Sequence, residues 1–109
     1  MPGFHTDEER AAWAIAEALL DKARAMMRQA ERALETWRLG KELNQQRCAR
    51  RGISATDAEI RWSDSANAKN AMAENTFHTG LATMYFGAAA AYYARAHYLR
   101  NRSEVHLSQ

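Results

Sequence analysis

Only one stretch of this chain combines the residues that usually end a helix, RRGIS at residues 50–54. Pro2 is the only proline, and no Gly/Ser-rich linker divides the remainder. Gly52 follows two arginines, and a glycine behind a basic last turn is the usual C-terminal cap of an α-helix. The sequence therefore predicts two long helices, spanning roughly 7–51 and 56–102, with a turn near Gly52 and a short C-terminal tail.

Two threonines mark where these helices are expected to begin. Thr6 and Thr56 each lie three residues before a glutamate, which is the spacing of a capping box. Gly40 and Gly80 fall inside the predicted helices. Because an interior glycine costs a helix only about 1 kcal/mol, we expect both helices to continue through them.

Strand patterns are absent from the sequence. No segment alternates apolar and polar residues over the length of a strand, and β-branched residues are few. The predicted fold class is therefore all-α. A chain of 109 residues provides enough side chains for one core but too few for two, so we expect a single helical domain over residues 1–109.

Apolar residues of the first predicted helix recur with a seven-residue period, which is typical of a helix that packs lengthwise against another. Large and small side chains alternate along this seam, and charged residues occupy the opposite side of the helix. With a turn at Gly52, the two helices are expected to form an antiparallel hairpin. The predicted seam consists of Trp13, Ala16, Leu20, Ala23, Met27, Ala30, Leu34 and Trp37.

The stretch LATMYFGAAAAYYA, residues 81–94, carries no charge on any side. At about 100° per residue, Phe86 and Tyr93 are expected to point about 120° away from the face that meets the first helix. The residues of that face are Leu81, Met84, Tyr85, Ala88 and Tyr92. A hairpin supplies only one neighbouring helix to each of its helices. The second face would then be an exposed aromatic patch of a kind that monomers seldom carry.

Self-association is the simplest way to cover this second face, because a two-fold dimer of hairpins makes a four-helix bundle. Another helical protein or a hydrophobic ligand is the alternative. Arg95 is expected to face the first helix and to pair with Asp7, Glu8 or Glu9 at the end of the bundle. The predicted oligomer interface comprises Leu81, Phe86, Gly87, Ala89, Ala90 and Tyr93.

Basic residues cluster around the predicted turn and indicate an alternative function, the binding of DNA or RNA. Arginines contact phosphates, and an exposed tryptophan can stack on a base. The same arginines also complement the helix dipole, and a formal net charge of +2 does not require a polyanionic partner. We call the following residues the basic turn cluster: Lys41, Arg47, Arg50, Arg51, Arg61 and Trp62.

Residue types that carry chemistry are scattered along the chain. The four histidines fall in no metal-ligand spacing, and His78 follows Glu74 by four residues instead of the Glu-x-x-His spacing of helical iron sites. Cys48, the only cysteine, has no histidine nearby in the sequence. No phosphate-binding loop or Ser/His/Asp arrangement is present. We therefore predict no metal, no cofactor and no enzymatic activity.

Composition bears on source and location. The 23 alanines, and 12 arginines against three lysines, are typical of a GC-rich bacterial or phage genome. The chain shows no secretory signal and no apolar run of the roughly 18–20 residues that a membrane span needs, and a lone cysteine suits a reducing compartment. The sequence predicts a non-enzymatic structural or protein-interaction component, such as an assembly factor, in the cytoplasm or in a phage particle.

Overall fold

The computed structural model describes residues 3–107, and all regular secondary structure in that range is helical. Helix α1 spans Asp7–Arg50, α2 spans Ala55–Asp64 and α3 spans Ala66–Leu107. The all-α prediction is confirmed. The prediction of one continuous helix after the turn is wrong, because α2 and α3 occupy that part of the chain as separate helices.

Thr6 caps the start of α1. Its Oγ1 accepts a hydrogen bond of 3.0 Å from the backbone N–H of Glu9. The carboxylate of Glu9 in turn accepts a hydrogen bond of 2.9 Å from the backbone N–H of His5. Three acidic residues in the first turn complement the positive end of the helix dipole, so local contacts stabilise the start of α1.

Gly52 ends α1 in the left-handed conformation, with φ of 76°. The N–H of Ile53 donates to the carbonyl oxygen of Cys48 at 2.9 Å, and the N–H of Gly52 donates to that of Ala49 at 3.1 Å. These two bonds are the Schellman motif, which satisfies carbonyl groups left free at the helix end. A side chain at position 52 would be strained, because a positive φ brings Cβ too close to the following carbonyl.

Ser54, and not Thr56, caps the start of α2. Its Oγ accepts a hydrogen bond of 3.1 Å from the backbone N–H of Asp57, and the helix begins at Ala55. The prediction of a cap at Thr56 is therefore wrong by two residues, whereas the helix begins within one residue of the predicted position 56. Ser54 and Asp57 have the same three-residue spacing as the predicted pair, and the sequence contains both signals within one turn of helix.

Ser65 separates α2 from α3 by leaving the helical conformation, with φ of −69° and ψ of 148°. Its hydroxyl donates to the carbonyl oxygen of Trp62 at 2.7 Å and accepts from the backbone N–H of Ala68 at 3.1 Å. One side chain therefore satisfies the end of one helix and the start of the next. This dual role explains why the chain breaks here without glycine or proline.

Packing divides the chain into two compact units, which are described separately. Unit 1 consists of Met1–Ala25 and Leu81–Gln109, and unit 2 consists of Met26–Gly80. Helices α1 and α3 contribute to both units, whereas α2 belongs to unit 2 alone.

The core of unit 1 is built on small residues. Ala12 of α1 contacts Ala96 and Leu99 of α3, and Trp13 packs against this cluster. The Tyr93 ring meets the Trp13 ring edge-on, with 4.9 Å between the ring centroids. Alanines thus occupy the buried centre of the contact, and aromatic rings close it from the side.

The core of unit 2 is organised around Trp62, which is 6% exposed. Its ring fills the space where Gly40 lacks a side chain, because a Cβ at Gly40 would lie 2.3 Å from Cη2 of the ring. The Trp37 ring lies beside it, with 6.2 Å between centroids. Gly40 therefore permits close approach of α2. Helix α1 continues unbroken through Gly40, and helix α3 continues unbroken through Gly80.

The predicted seam of α1 faces inward at its small positions. Ala16, Ala23 and Ala30 are almost fully buried, as the heptad pattern indicated. The large residues of the same seam are half-buried and flank the alanines: Trp13, Leu20, Met27, Leu34 and Trp37.

Candidate interaction surfaces

Helix α3 turns its alanines toward α1 in unit 1. Ala82, Ala89 and Ala96 recur every seven residues and are all buried. Met84 and Tyr92, which were predicted to face α1, are exposed, and the prediction is wrong for these two residues, whereas the other predicted members, Leu81, Tyr85 and Ala88, are half-buried. In a helix that is apolar on all sides, the smallest side chains allow the closest approach of the axes, so they take the contact. Met84 lies about 200° around the helix from Ala82 and points away.

Two residues of the predicted oligomer interface are occupied within unit 1. Ala89 is buried, and Tyr93 packs against Trp13. The Glu17 carboxylate, as a hydrogen-bond acceptor for the Tyr93 hydroxyl and as a negative charge, raises the pKa of Tyr93, and burial raises it further. The assignment of Ala89 to an interface between copies is therefore corrected, because it is buried within unit 1, whereas the assignment of the half-buried Tyr93 stays a prediction.

The other four residues of the predicted interface lie nearer the surface. Leu81 is half-buried, whereas Phe86, Gly87 and Ala90 are exposed. A Cβ added at Gly87 would meet nothing within 4 Å, so the surface there is open. These residues stay available to a partner.

Sequence reasoning missed the most exposed large apolar side chains of α3. Met84 and Tyr98 in unit 1 are 70% and 61% exposed, and Phe77 in unit 2 is 62% exposed. Their positions differ by multiples of seven, as do those of the buried alanines. The same heptad count, applied to a second face of α3, would have found them.

A group of polar and charged side chains joins α1 to α3 near the N-terminus of α1. Arg100 Nη1 lies 3.9 Å from Oε1 of the buried Glu9, and Arg100 Nε lies 3.5 Å from Glu104 Oε1. His5 Nε2 lies 3.2 Å from the same Glu104 oxygen. Arg95 was predicted to pair here and does not, because Arg100, five residues later, lies level with Glu9. Among residues 3–107, Arg95 has no ion-pair partner.

The tryptophan of the basic turn cluster is buried, so the prediction of an exposed ring that stacks on a base is wrong. Trp62 follows Ala58 by four residues, which places both on the inward face of α2. The indole Nε1 is buried and has no hydrogen-bond partner among the described residues.

The cations of the basic turn cluster divide into two groups. Lys41 Nζ lies 3.5 Å from Glu59 Oε1 and 5.2 Å from the centroid of the Trp37 ring, so this cation is already engaged. The arginines are exposed, and within residues 3–107 none of them forms an ion pair. They are Arg47, Arg50, Arg51 and Arg61.

A cleft of about 530 Å³ lies in unit 2 next to Trp62. Its walls include the amides of Asn67 and Asn70 and the opposite charges of Arg47 and Glu74. These groups can donate and accept hydrogen bonds. The cleft's lining includes no cysteine or histidine.

Two other asparagines hold the helices of unit 2 in register. Asn44 Nδ2 donates to the carbonyl oxygen of Ala58, and Asn75 Nδ2 donates to that of Ala30, each at 2.8 Å. Cys48 is buried, with its Sγ 3.9 Å from the Asn44 side-chain oxygen. The asparagines of unit 2 therefore serve two purposes, since Asn44 and Asn75 set register, while Asn67 and Asn70, together with Asn44, line the cleft.

Within residues 3–107, no group of three or more His, Cys, Asp or Glu side chains is placed to hold a metal ion. No helix in the described range is both long enough and apolar enough to cross a membrane. The sequence has no significant match to a protein-family model, a curated protein or a solved structure.

Proposed function

We propose that this chain is a non-enzymatic helical protein that associates with itself and serves as a structural or protein-interaction component. The observation that carries the proposal is the exposure of Phe77, Met84 and Tyr98 on α3. The three side chains recur at multiples of seven residues along one helix, and a large apolar patch is rare on the surface of a monomeric protein. Burying one such side chain in an interface contributes about 1.5–3 kcal/mol, so three of them per copy favour association.

The proposed architecture is a single-domain antiparallel hairpin that forms a four-helix bundle by dimerisation. Contacts inside each unit support the hairpin. In each unit, the nearer a residue of α1 lies to the start of that helix, the further along the chain is the residue that it contacts after the turn. The contacts are Tyr93 with Trp13 and Arg100 with Glu9 in unit 1, and Asn75 with Ala30 and Ala58 with Asn44 in unit 2.

The proposed partner is a second copy or another helical protein, and the proposed setting is the assembly of a bacterial or phage structure, in the cytoplasm or in the particle. The alanine- and arginine-rich composition supports this setting. Capture of the tagged chain from its native host, followed by identification of bound proteins, tests it. Recovery of a defined helical partner would support an assembly role, whereas recovery of the chain alone would restrict the proposal to self-association.

Sedimentation equilibrium of the purified chain over a range of concentrations tests self-association. We expect a dimer or larger oligomer that persists as salt is raised, because apolar contacts are not screened. Met84→Asp should shift the chain toward monomer without loss of helix signal in circular dichroism. The matched control is Gln29→Asp, at an exposed position of α1. A wild-type chain that stays monomeric at every concentration would refute the proposal.

The alternative function is nucleic-acid binding by the basic turn cluster. The observation that favours it is that four arginines of the cluster are exposed and form no ion pair with any of residues 3–107. Replacing Arg47, Arg50 and Arg51 together by alanine should abolish retention of DNA or RNA at low salt if this alternative holds. Equal retention by the wild type and the triple variant would exclude it.

A further inference from the structure

Helix α3 carries a second heptad pattern on exposed residues, in addition to the buried alanines. Successive residues of this pattern lie alternately three and four positions apart in the sequence, which is the a/d pattern of a coiled coil. The a positions carry the large Phe77 and Met84 and the small Ala91, and small residues fall at d positions. We call this surface the outer stripe, and its central members are Phe77, Gly80, Met84, Gly87, Ala91 and Ala94, all of which are exposed.

We propose that α3 of a second copy packs antiparallel on the outer stripe, in the register that sets Phe77 opposite Ala94 of the second copy and Met84 opposite Gly87 of the second copy. This inference rests on the self-association proposed above and names the surface and the register. In an antiparallel coiled coil, a positions face d positions, so each of these large side chains meets a small one. An in-register parallel pair would instead set Met84 against Met84 and Phe77 against Phe77, so that large side chains meet large ones.

The open space at the glycines suits this arrangement. A Cβ built at Gly80 or Gly87 would meet nothing within 4 Å, so no side chain of the same copy occupies these positions. Gly87 can therefore receive the Met84 side chain of the second copy, and Ala94 can receive Phe77. The contact is self-complementary, as a two-fold interface must be.

Charge supports the same register independently of the apolar residues. Residues 75–94 contain no Asp, Glu, Lys or Arg, and the segment is bounded by Glu74 on one side and Arg95 on the other. Both residues follow d positions and therefore flank the outer stripe on the same side. The proposed register places Glu74 of each copy beside Arg95 of the other, which creates two ion pairs related by the two-fold axis.

The two flanking charges are available for such pairs. Glu74 and Arg95 are both exposed, and neither has an ion-pair partner among residues 3–107. Sliding the second copy by one heptad in either direction would place Arg95 beside Leu81 or Asn67 instead. Only the proposed register matches the uncharged segments over their full length and pairs the charges at both ends.

A charge-exchange experiment tests the register. Glu74→Arg alone and Arg95→Glu alone each bring like charges together at both ends of the contact. We expect each variant to raise the Kd of self-association about tenfold at low salt, since two pairs change from attraction to repulsion. An equimolar mixture of the two variants should associate about as tightly as the wild type, because every altered charge then meets its opposite.

The controls are Glu35→Arg and Arg28→Glu, which make the same charge changes at exposed positions of α1 and should leave the Kd within about twofold. Sedimentation equilibrium gives each Kd, and circular dichroism confirms that each variant is folded. Gly87→Leu provides an apolar test that does not depend on charge, because it fills the position assigned to Met84 of the second copy and should weaken association.

The outcomes separate this inference from the proposed function. If the wild type associates but Glu74→Arg and Arg95→Glu do so equally well, or if mixing them restores nothing, then the register is wrong and self-association stands. If the wild type does not associate, both proposals fail. Weakened single variants, a restored mixture and unaffected controls would establish the antiparallel contact.

Discussion

Replacing Gly40 by alanine tests how unit 2 is packed. The added Cβ would lie 2.3 Å from Cη2 of Trp62 and 3.0 Å from both Cζ2 and Cζ3. Cβ atoms in proteins essentially never approach non-bonded atoms within 3.0 Å, so either the Trp62 ring or helix α1 must move. The ring is buried and lies beside Trp37, which leaves it little space to shift.

Two opposing effects set the size of the change in stability. Alanine is better than glycine inside a helix by about 1 kcal/mol. Overpacking a core typically costs about 1–3 kcal/mol, and contact with three ring atoms places Gly40→Ala at the upper end of that range. We therefore expect a net loss of about 1–2 kcal/mol, which corresponds to a fall in Tm of about 5–10 °C.

Thermal and urea unfolding, followed by circular dichroism, measure this loss. The matched control places Gly40→Ala in a Trp62→Leu background, where the smaller side chain removes the clash and alanine should raise stability by about 0.5–1 kcal/mol. A higher Tm for Gly40→Ala in the otherwise wild-type chain would refute the reasoning, because it would mean that the ring does not occupy the space at Gly40.

Three further substitutions test the helix ends and one titrating group. Gly52→Ala should cost about 1–2 kcal/mol in urea unfolding, because φ is 76° there, and an unchanged midpoint would contradict the assigned turn. Ser65→Ala should cost about 1 kcal/mol, because the N–H of Ala68 loses its acceptor, and equal stability would show that the cap contributes nothing. Glu17→Gln should lower the pKa of Tyr93 toward its ordinary 10.0, as seen in the tyrosinate absorbance difference from Tyr93→Phe. Since folding raises the pKa of Tyr93, the stabilisation of the folded wild type by protonated Tyr93 is present below pH 10 and is lost as pH rises through the folded-state pKa. A Tyr93 titration unaffected by Glu17→Gln would contradict the pairing of Tyr93 with Glu17.

Features that depend on neighbours within one or two turns could be predicted from the sequence. The cap at Thr6 and the left-handed Gly52 each follow from residues that lie within five positions of one another. The burial of Ala16 and Ala23 followed from a seven-residue repeat with charges on the opposite side of α1. Ser65 is an exception, because a serine between two helical patterns does not by itself show that the backbone will leave the helix.

The rotation of α3 could not be predicted in the same way. Its residues 81–94 are apolar on every side, so the hydrophobic pattern did not distinguish the face of Ala82 and Ala89 from the face of Met84. The identity of the residue level with Glu9 depended on that rotation and on the register of the helices. For this reason Arg100, and not Arg95, forms the ion pair.

The amino-acid sequence alone determined that the chain is helical, where α1 ends and which face of α1 is buried, because caps and amphipathic periodicity act over a few residues. Only the tertiary structure decided which side of α3 is covered and that Trp62 occupies the space at Gly40. Those outcomes depend on how closely two backbones approach, and that distance is set by small residues far apart in the sequence that meet only when the chain has folded.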